Sequence, residues 1–377
     1  MEQNGSASYD DIAQQIPAKE LSTLLEVSSA LASTLDLSEV LQLAIESTTD
    51  VVDLDTGAIY ILENENLYLG ATTPPLPDQF PDELRYAQLR DHPHIREAVI
   101  QQIPVYLEDA REATLSPAEK TVVVARQLVS ILYFPLALKE KAIGAFIIGT
   151  THKIRKFTRQ EIDLCNILSY QVSLAVANAQ LYTKTQQAIV DLTHAYDATL
   201  EGWSRILDMR DHVTDAHTHR VADLTVALAR KMGIPESELG DIRRGALLHD
   251  IGKVGIPDAI LQKPDVLTDA EWEIMQTHTE LAYQFLSHIR YLAPALDIPF
   301  CHHEKWNGTG YPRKLMGEEI PLSALIFAVV DVYDALTSDR PYRKAWKRED
   351  ALTYIQEQSG KHFFPKAVEA FLEMLKG

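Results

Sequence analysis

From Thr158 to about Arg210 the chain has no proline, and Gly202 is its only glycine. Neither of the usual helix stops intervenes, so the spacing predicts one helix of roughly fifty residues. Thr158 and Glu161, three residues apart, form a capping box that opens it. Roughly fifty residues at ~1.5 Å each is longer than one small domain can bury. The helix therefore separates two halves of the chain, which can be read independently. Along it Tyr182, Ile189, Tyr196 and Trp203 recur every seven residues, with Leu192 between them. Such a stripe seeks an apolar partner. Thr185 and Thr199 interrupt it. The partner is either the same helix of a second copy or a face of the following domain. A homodimer is the expectation, with residues 158–210 as a connecting helix and coiled coil.

The half before this helix mixes helical and alternating patterns. The polar residues 1–16 are expected to lack fixed structure. Leu21, Leu24, Leu25, Ser28 and Leu31 mark one helix face, and Asp36 and Ser38 offer caps for a second helix ending near Val52. Gly57–Leu62 and Leu67–Ala71 read as strands joined by the turn Glu63-Asn64-Glu65-Asn66. A proline-rich loop follows, with Pro74, Pro75, Pro77 and Pro81. Ile131–Leu138 and Ile143–Thr150 form a hairpin through Lys139-Glu140-Lys141. The expected fold of residues 17–180 is α+β, an antiparallel sheet with helices.

The half after it, residues 195–377, reads as all-α. Arg210-Asp211-His212-Val213-Thr214 leads to a helix carrying Val221, Leu224 and Leu228 and closed by Gly233. Leu239, Ile242, Ala246 and Leu247 recur at helical spacing and bring His249-Asp250-Ile251-Gly252-Lys253 to a helix end, with Gly252 as its stop. Thr268 and Glu271 cap a helix expected to bury Trp272, Met275, Ala282, Phe285 and Ile289, with His278 on the same face.

Several polar residues in this half stand where apolar ones are expected. They are His217, His278, His302-His303 after Cys301, and Asp331 inside an apolar run. A lone buried carboxylate costs several kcal/mol unless it is paired or bound to metal. With His249 and Asp250 these residues form a nitrogen-and-carboxylate donor set suited to iron, manganese or a similar cation. Each also has a plainer reading. His278 could be a hydrogen-bonded core histidine, His302-His303 a solvated helix end, and Asp331 the partner of an arginine. Lys253, three residues after Asp250, places an ammonium beside the pair.

Charge and patterning restrict the function. A formal charge of -19 argues against binding long nucleic acids through their backbones. The longest apolar runs fall far below the ~20 residues of a membrane-spanning helix. The N-terminus lacks a basic start with an apolar core. Two cysteines, Cys165 and Cys301, make no disulfide framework. A cytoplasmic protein without membrane insertion is expected.

Two family resemblances follow from these residues. The order of elements, Thr34-Leu35-Asp36-Leu37 and Lys156-Phe157-Thr158 before Glu161-Ile162-Asp163-Leu164 make residues 17–180 resemble a GAF sensor domain. Lys156, Phe157 and Glu161 echo part of the signature of cyclic-nucleotide-binding GAF domains. That resemblance leaves two roles open, a small-molecule ligand site or a dimerisation scaffold. His249-Asp250-Ile251-Gly252-Lys253, His302 through Pro312, and Asp331 through Arg343 resemble the HD-GYP family, the metal-dependent branch of the HD hydrolases that opens cyclic di-GMP.

The HD-GYP resemblance implies a division of roles. The metal ligands would be His217, His249, Asp250, His278, His302, His303 and Asp331, holding two divalent ions. Asp250 would bridge the ions, with His217, His249 and Asp331 on one side and His278, His302 and His303 on the other. Lys253 and Asp250 would serve catalysis, and Gly308, Gly310, Tyr311, Pro312, Asp334, Arg340 and Arg343 would contact substrate. Some members hold a third metal through a Glu four residues before the first His; Val213 stands there, so two metals are expected. The implied product is linear pGpG, or GMP after a second cut. A catalytically weak module that binds a cyclic dinucleotide or metal and signals through partner proteins is the alternative.

Overall fold

The computed structural model describes residues 28–31, 33–76, 85–139, 141–211, 216–339 and 344–376, together with Leu25. The expectations for residues 1–16, Val213, Arg340 and Arg343 lie outside the described residues. The chain divides into two compact units, residues 1–189 and 190–377.

The first unit is built on a six-stranded antiparallel sheet. Helix α1 (Leu37–Val52) starts at Asp36, whose carboxylate accepts the amides of Ser38 and Glu39. Then come β1 (Thr56–Glu63), β2 (Asn66–Thr73), β3 (Tyr86–Gln88), α2 (Pro93–Gln101), β4 (Val105–Leu107), α3 (Pro117–Arg126), β5 (Ile131–Leu138) and β6 (Lys141–Gly149). The strands lie in the order β3-β2-β1-β6-β5-β4. Side chains alternate across the sheet. Ile59, Ile61, Phe134 and Phe146 pack on one face with Val40, Leu41 and Ile45 of α1. Ala58, Tyr60, Tyr133 and Ala145 pack on the other with Ile95 and Val99 of α2 and Val123 of α3.

The long helix α4 spans Arg159–Asp211. Its first turns supply Cys165, Leu168, Val172 and Val176 to the core that also holds α1. Residues 181–192 are exposed all round, including Leu181, Tyr182, Ile189 and Leu192. Farther on, Leu200 is buried with Leu248, Leu286 and Leu292, and Tyr196 stacks on Tyr291 at 5.1 Å.

The second unit is helical. It contains α5 (Ala216–Lys231), α6 (Glu236–Leu247), a 3-10 turn (Ile251–Gly255), α7 (Asp258–Leu261), α8 (Asp269–Gln276), α9 (His278–Leu286), α10 (Asp297–Cys301), α11 (Leu322–Thr337), α12 (Arg348–Glu357) and α13 (Pro365–Lys376). Its core joins Val221 and Leu228 of α5, Leu239 and Ile242 of α6, Phe327, Val329 and Val330 of α11, and Phe371 of α13.

Two sequence expectations change here. The helix expected from Thr268 to Ile289 is two helices, α8 and α9, that meet at Thr277. Trp272 and Phe285, expected in the core, are 47% and 44% exposed. Gly252 does not stop a helix, because α6 has already ended at Leu247 and Gly252 sits inside the 3-10 turn.

Burial pushes the Cys165 thiol up to about 12 and the Cys301 thiol up to about 11. Both cysteines are buried and free. Neither should react with a thiol-disulfide reagent at pH 8 in the native protein, and both should react after denaturation. Rapid native labelling at either position would contradict these packings.

Candidate metal centre

The donor side chains come from separate elements of the second unit. His217 is on the first turn of α5, and His249-Asp250 follow α6. His278 opens α9, His302-His303 follow α10, and Asp331 lies in the middle of α11. One set of potential ligand atoms, from Asp250, His278, His302 and His303, lies within 4.8 Å of one another; a second set comes from His217, His249 and Asp331.

Asp250 joins the sets. Its Oδ2 lies 3.0 Å from His249 Nε2 and 2.8 Å from Lys253 Nζ. Its Oδ1 lies 3.5 Å from His278 Nε2 and 3.8 Å from His302 Nε2. On the other side His217 Nε2 is 3.9 Å from Asp331 Oδ1.

Orientation is what suits these rings to a cation. His249 Nδ1 lies 2.8 Å from the Ala246 carbonyl, His278 Nδ1 2.7 Å from that of Met275, and His302 Nδ1 3.0 Å from that of Ile298. His217 Nδ1 pairs with the Asp334 carboxylate. Only a protonated nitrogen can donate to a carbonyl, so each Nδ1 carries a proton, and in the neutral ring each Nε2 turns a lone pair toward the cluster. That is the usual support of a metal-binding imidazole. Burial holds His302 and His303 well below the ordinary imidazole range and lowers His278 as well, which keeps them neutral. Burial would also lower His249, but the Asp250 and Asp331 carboxylates outweigh it and bring it to about 9. Burial would raise Asp250, but Lys253 and His249 hold it well below the usual carboxylate range. The donor set and its aim fit divalent cations of the kind expected from the sequence.

The expected substrate contacts fall in two places. His303 is followed by a loop that Glu304 organises: its buried carboxylate accepts the amides of Arg313 at 2.7 Å and Leu315 at 3.1 Å. The loop carries Gly308, Gly310, Tyr311 and Pro312. A Cβ on Gly310 would lie 2.4 Å from the Lys305 amide nitrogen, so only glycine lets the loop fold back this closely. Tyr311 stacks on His303, with ring centroids 4.7 Å apart. Asp334 is 3% exposed, and its two oxygens are taken by His217 and by Arg220, whose Nε and Nη2 reach them at 2.7 and 2.9 Å. It lies on the far edge of the His217 ring from Nε2, which makes it a support for that ring. The plainer reading open for Asp331, pairing with an arginine, fits Asp334 among the described residues.

Sequence reasoning missed Arg220 and Glu304. Both had a signal available. Arg220 follows His217 by three residues on one helix face, and Glu304 directly follows the His pair.

The first unit holds a cavity of ≈ 40 Å³ lined by Tyr60, His92, Glu119 and Tyr133 together with apolar side chains. Lys156, Phe157 and Glu161 do not line it. Lys156 pairs with Glu108, Phe157 packs edge-on against Tyr106, and Glu161 pairs with Arg155.

Gly252 fixes the relation between Asp250 and His278. A Cβ there would lie 1.8 Å from the His278 carbonyl oxygen and 2.7 Å from the Ala282 nitrogen. Gly252→Ala should force the 3-10 turn off α9, lower the thermal midpoint by several degrees and abolish tight manganese binding. Unchanged manganese affinity by calorimetry would show that the turn can move without cost to the cluster.

Residues 202–366 match the HD domain family and residues 34–177 match the GAF domain family. Among curated relatives, the Vibrio cholerae protein named 3'3'-cGAMP-specific phosphodiesterase 2 is 40% identical over 217 residues, which cover 56% of this chain and 40% of that protein. A Thermotoga maritima protein named cyclic di-GMP phosphodiesterase is 45% identical over 181 residues, covering 47% of this chain and 49% of its own length. RpfG of Xanthomonas campestris, named a cyclic di-GMP phosphodiesterase response regulator, is 42% identical over 176 residues, covering 46% and 47%. The chain thus spans less than half the length of these relatives. No helix among the described residues is long and apolar enough to cross a membrane. The chain thus carries a GAF-domain match that ends within the long helix and an HD-domain match that begins within it.

Proposed function

We propose that the chain is a metal-dependent phosphodiesterase of the HD-GYP type that hydrolyses cyclic di-GMP to pGpG, with GMP after a second cut. The observation that carries this reading is the arrangement of two donor sets around Asp250, with Lys253 at 2.8 Å from it. Two divalent cations, iron or manganese by donor chemistry, would be held by His217, His249 and Asp331 on one side, by His278, His302 and His303 on the other, and by Asp250 between. Bound there, such ions supply Lewis acidity and a nucleophile at neutral pH.

The remaining work falls to the chain's own side chains. Lys253, an ammonium anchored by Asp250, neutralises charge that builds on the phosphoryl oxygens and can give a proton to the departing sugar oxygen. Asp334 and Arg220 hold the His217 ring in one orientation. Gly308 and Gly310 let backbone approach the dinucleotide, and Pro312 stiffens the loop at Tyr311. Tyr311, half-buried and stacked on His303, would present its other ring face to a base. Arg340 and Arg343 would grip a phosphate or a guanine edge through their planar forks.

A homodimer in a cytoplasmic setting completes the reading. It rests on the exposed apolar side chains of α4 between residues 181 and 192, which a second α4 would cover. The GAF domain would regulate the rate through a small ligand. The ≈ 40 Å³ cavity suits only a few heavy atoms; a nucleotide pocket needs several hundred Å³. The name of the Vibrio cholerae relative makes 3'3'-cGAMP the second substrate to test.

The test is turnover. Anaerobically purified protein of known metal content is incubated with cyclic di-GMP or 3'3'-cGAMP, and the products are separated by chromatography. Linear dinucleotide or mononucleotide should form, and Asp250→Ala should lose both metal and turnover while keeping its helical circular dichroism. Turnover retained in Asp250→Ala would remove this site from the reaction. Absence of turnover with both metals bound, but with dinucleotide binding in a titration, would favour the signalling module.

A further inference from the structure

The last turn of α4 is fastened to the segment that carries Lys253. Arg210 Nη1 lies 2.6 Å from the Val254 carbonyl and 3.2 Å from that of Lys253. Its Nη2 lies 2.9 Å from the Ile256 carbonyl and 2.6 Å from Asp258 Oδ1, and Nε lies 3.1 Å from the same oxygen. One guanidinium thus serves three carbonyls at the end of the 3-10 turn and the acidic residue that opens α7. The Lys253 carbonyl also accepts the Ile256 amide; carbonyls at the end of a helical turn need such outside donors or water. The return contact is weaker: Gln262 Nε2 lies 3.4 Å from the Arg210 carbonyl.

Two further ties hold α4 to α6, the helix that delivers His249 and Asp250. Arg244 pairs with both oxygens of Asp197, at 2.7 and 3.2 Å, and Arg243 reaches Glu201 at 3.0 Å. Backbone bonds also tie the borders of the turn. The Lys253 amide reaches the Asp250 carbonyl at 2.8 Å, and the Ile256 amide reaches the Lys253 carbonyl at 3.0 Å. A five-residue 3-10 turn is poorly held by its own geometry. Its outer carbonyls rely on Arg210.

We propose that Arg210 is a positioning residue for Lys253: it clamps the 3-10 turn so that the Lys253 ammonium stays against Asp250. The proposal deepens the phosphodiesterase reading and rests on it for its kinetic consequence. Arg210 touches no donor side chain of the cluster, so its loss should leave the metal content unchanged. A displacement of about 1 Å at a catalytic group can cost on the order of 100-fold in rate.

The test uses the full chain loaded with manganese. Backbone hydrogen exchange is measured in the wild type and Arg210→Ala, with amides of α11 as the internal standard. Exchange at the Lys253 and Ile256 amides should rise at least tenfold while α11 does not change. Unchanged exchange at those amides overturns the clamp, whatever the turnover.

Kinetics of Arg210→Ala, Lys253→Ala and the double variant then ask how the clamp acts. Arg210→Ala should lower kcat on the order of 100-fold with KM within about threefold, and should add no further loss once Lys253 is alanine. A full additional loss in the Lys253→Ala background overturns the route through Lys253. A wild type without turnover defeats the phosphodiesterase reading alone, since the exchange measurement still decides the clamp. Arg210→Lys keeps the charge near Asp258 but not the fork, and should fall between wild type and alanine; it replaces Arg210→Ala if that variant does not fold.

Discussion

A carboxylate placed inside a helical core among five imidazoles has to be compensated, and the second unit is arranged around that requirement. Asp250 sits where α6, α9 and α10 converge, next to Lys253 and within reach of three histidine rings. Each supported ring spends its Nδ1 proton on a carbonyl or carboxylate, which leaves the inner nitrogens as acceptors facing acceptors. Positive charge at its centre is what such a cluster calls for, and Lys253 and His249 supply part of it. The backbone serves the same end. Gly252 leaves room for the His278 carbonyl where a Cβ would be, and Gly310 lets the loop after His303 turn back on itself.

Much of this was legible in the sequence because burial and polarity conflict in plain view. Asp331 directly after Phe327–Val330 and His278 at an apolar position signalled compensation without any structure. The long helix and the β5–β6 hairpin were legible for a different reason, since their patterns run long enough to be periodic. What was not legible is short or non-local. The three-residue strands β3 and β4 carry too little alternation to register. The break between α8 and α9 has neither Gly nor Pro to mark it. The pairing of Arg220 with Asp334 joins residues 114 apart in sequence. No local pattern tells that Asp334 supports an imidazole and Asp331 joins the donors, since both lie on α11 three residues apart.

The two units solve the same packing problem at different depths. In the first, the sheet buries both faces, and a small cavity beside α2 and α3 holds the buried His92 and Glu119. In the second, apolar packing among α5, α6, α11 and α13 forms a core to one side of the polar cluster. Phe327 belongs to both, since it packs in that core and lies 4.9 Å from the His249 ring. The precision of the cluster is therefore a property of the apolar packing beneath it.

The long helix has a consequence for how the chain is made. Starting a helix is costly and extending one is cheap. The turns of α4 that contain Cys165, Leu168 and Val172 are fixed by the sheet core, so the costly step is taken within the first unit. Domains emerge from the ribosome N-terminal end first and fold in that order. The second unit thus receives a helix already begun, and later elements can dock against its Leu200 and Arg210 as the rest of the chain appears. A chain that started at Val190 would have to begin that helix unaided, in competition with every other early contact it could make.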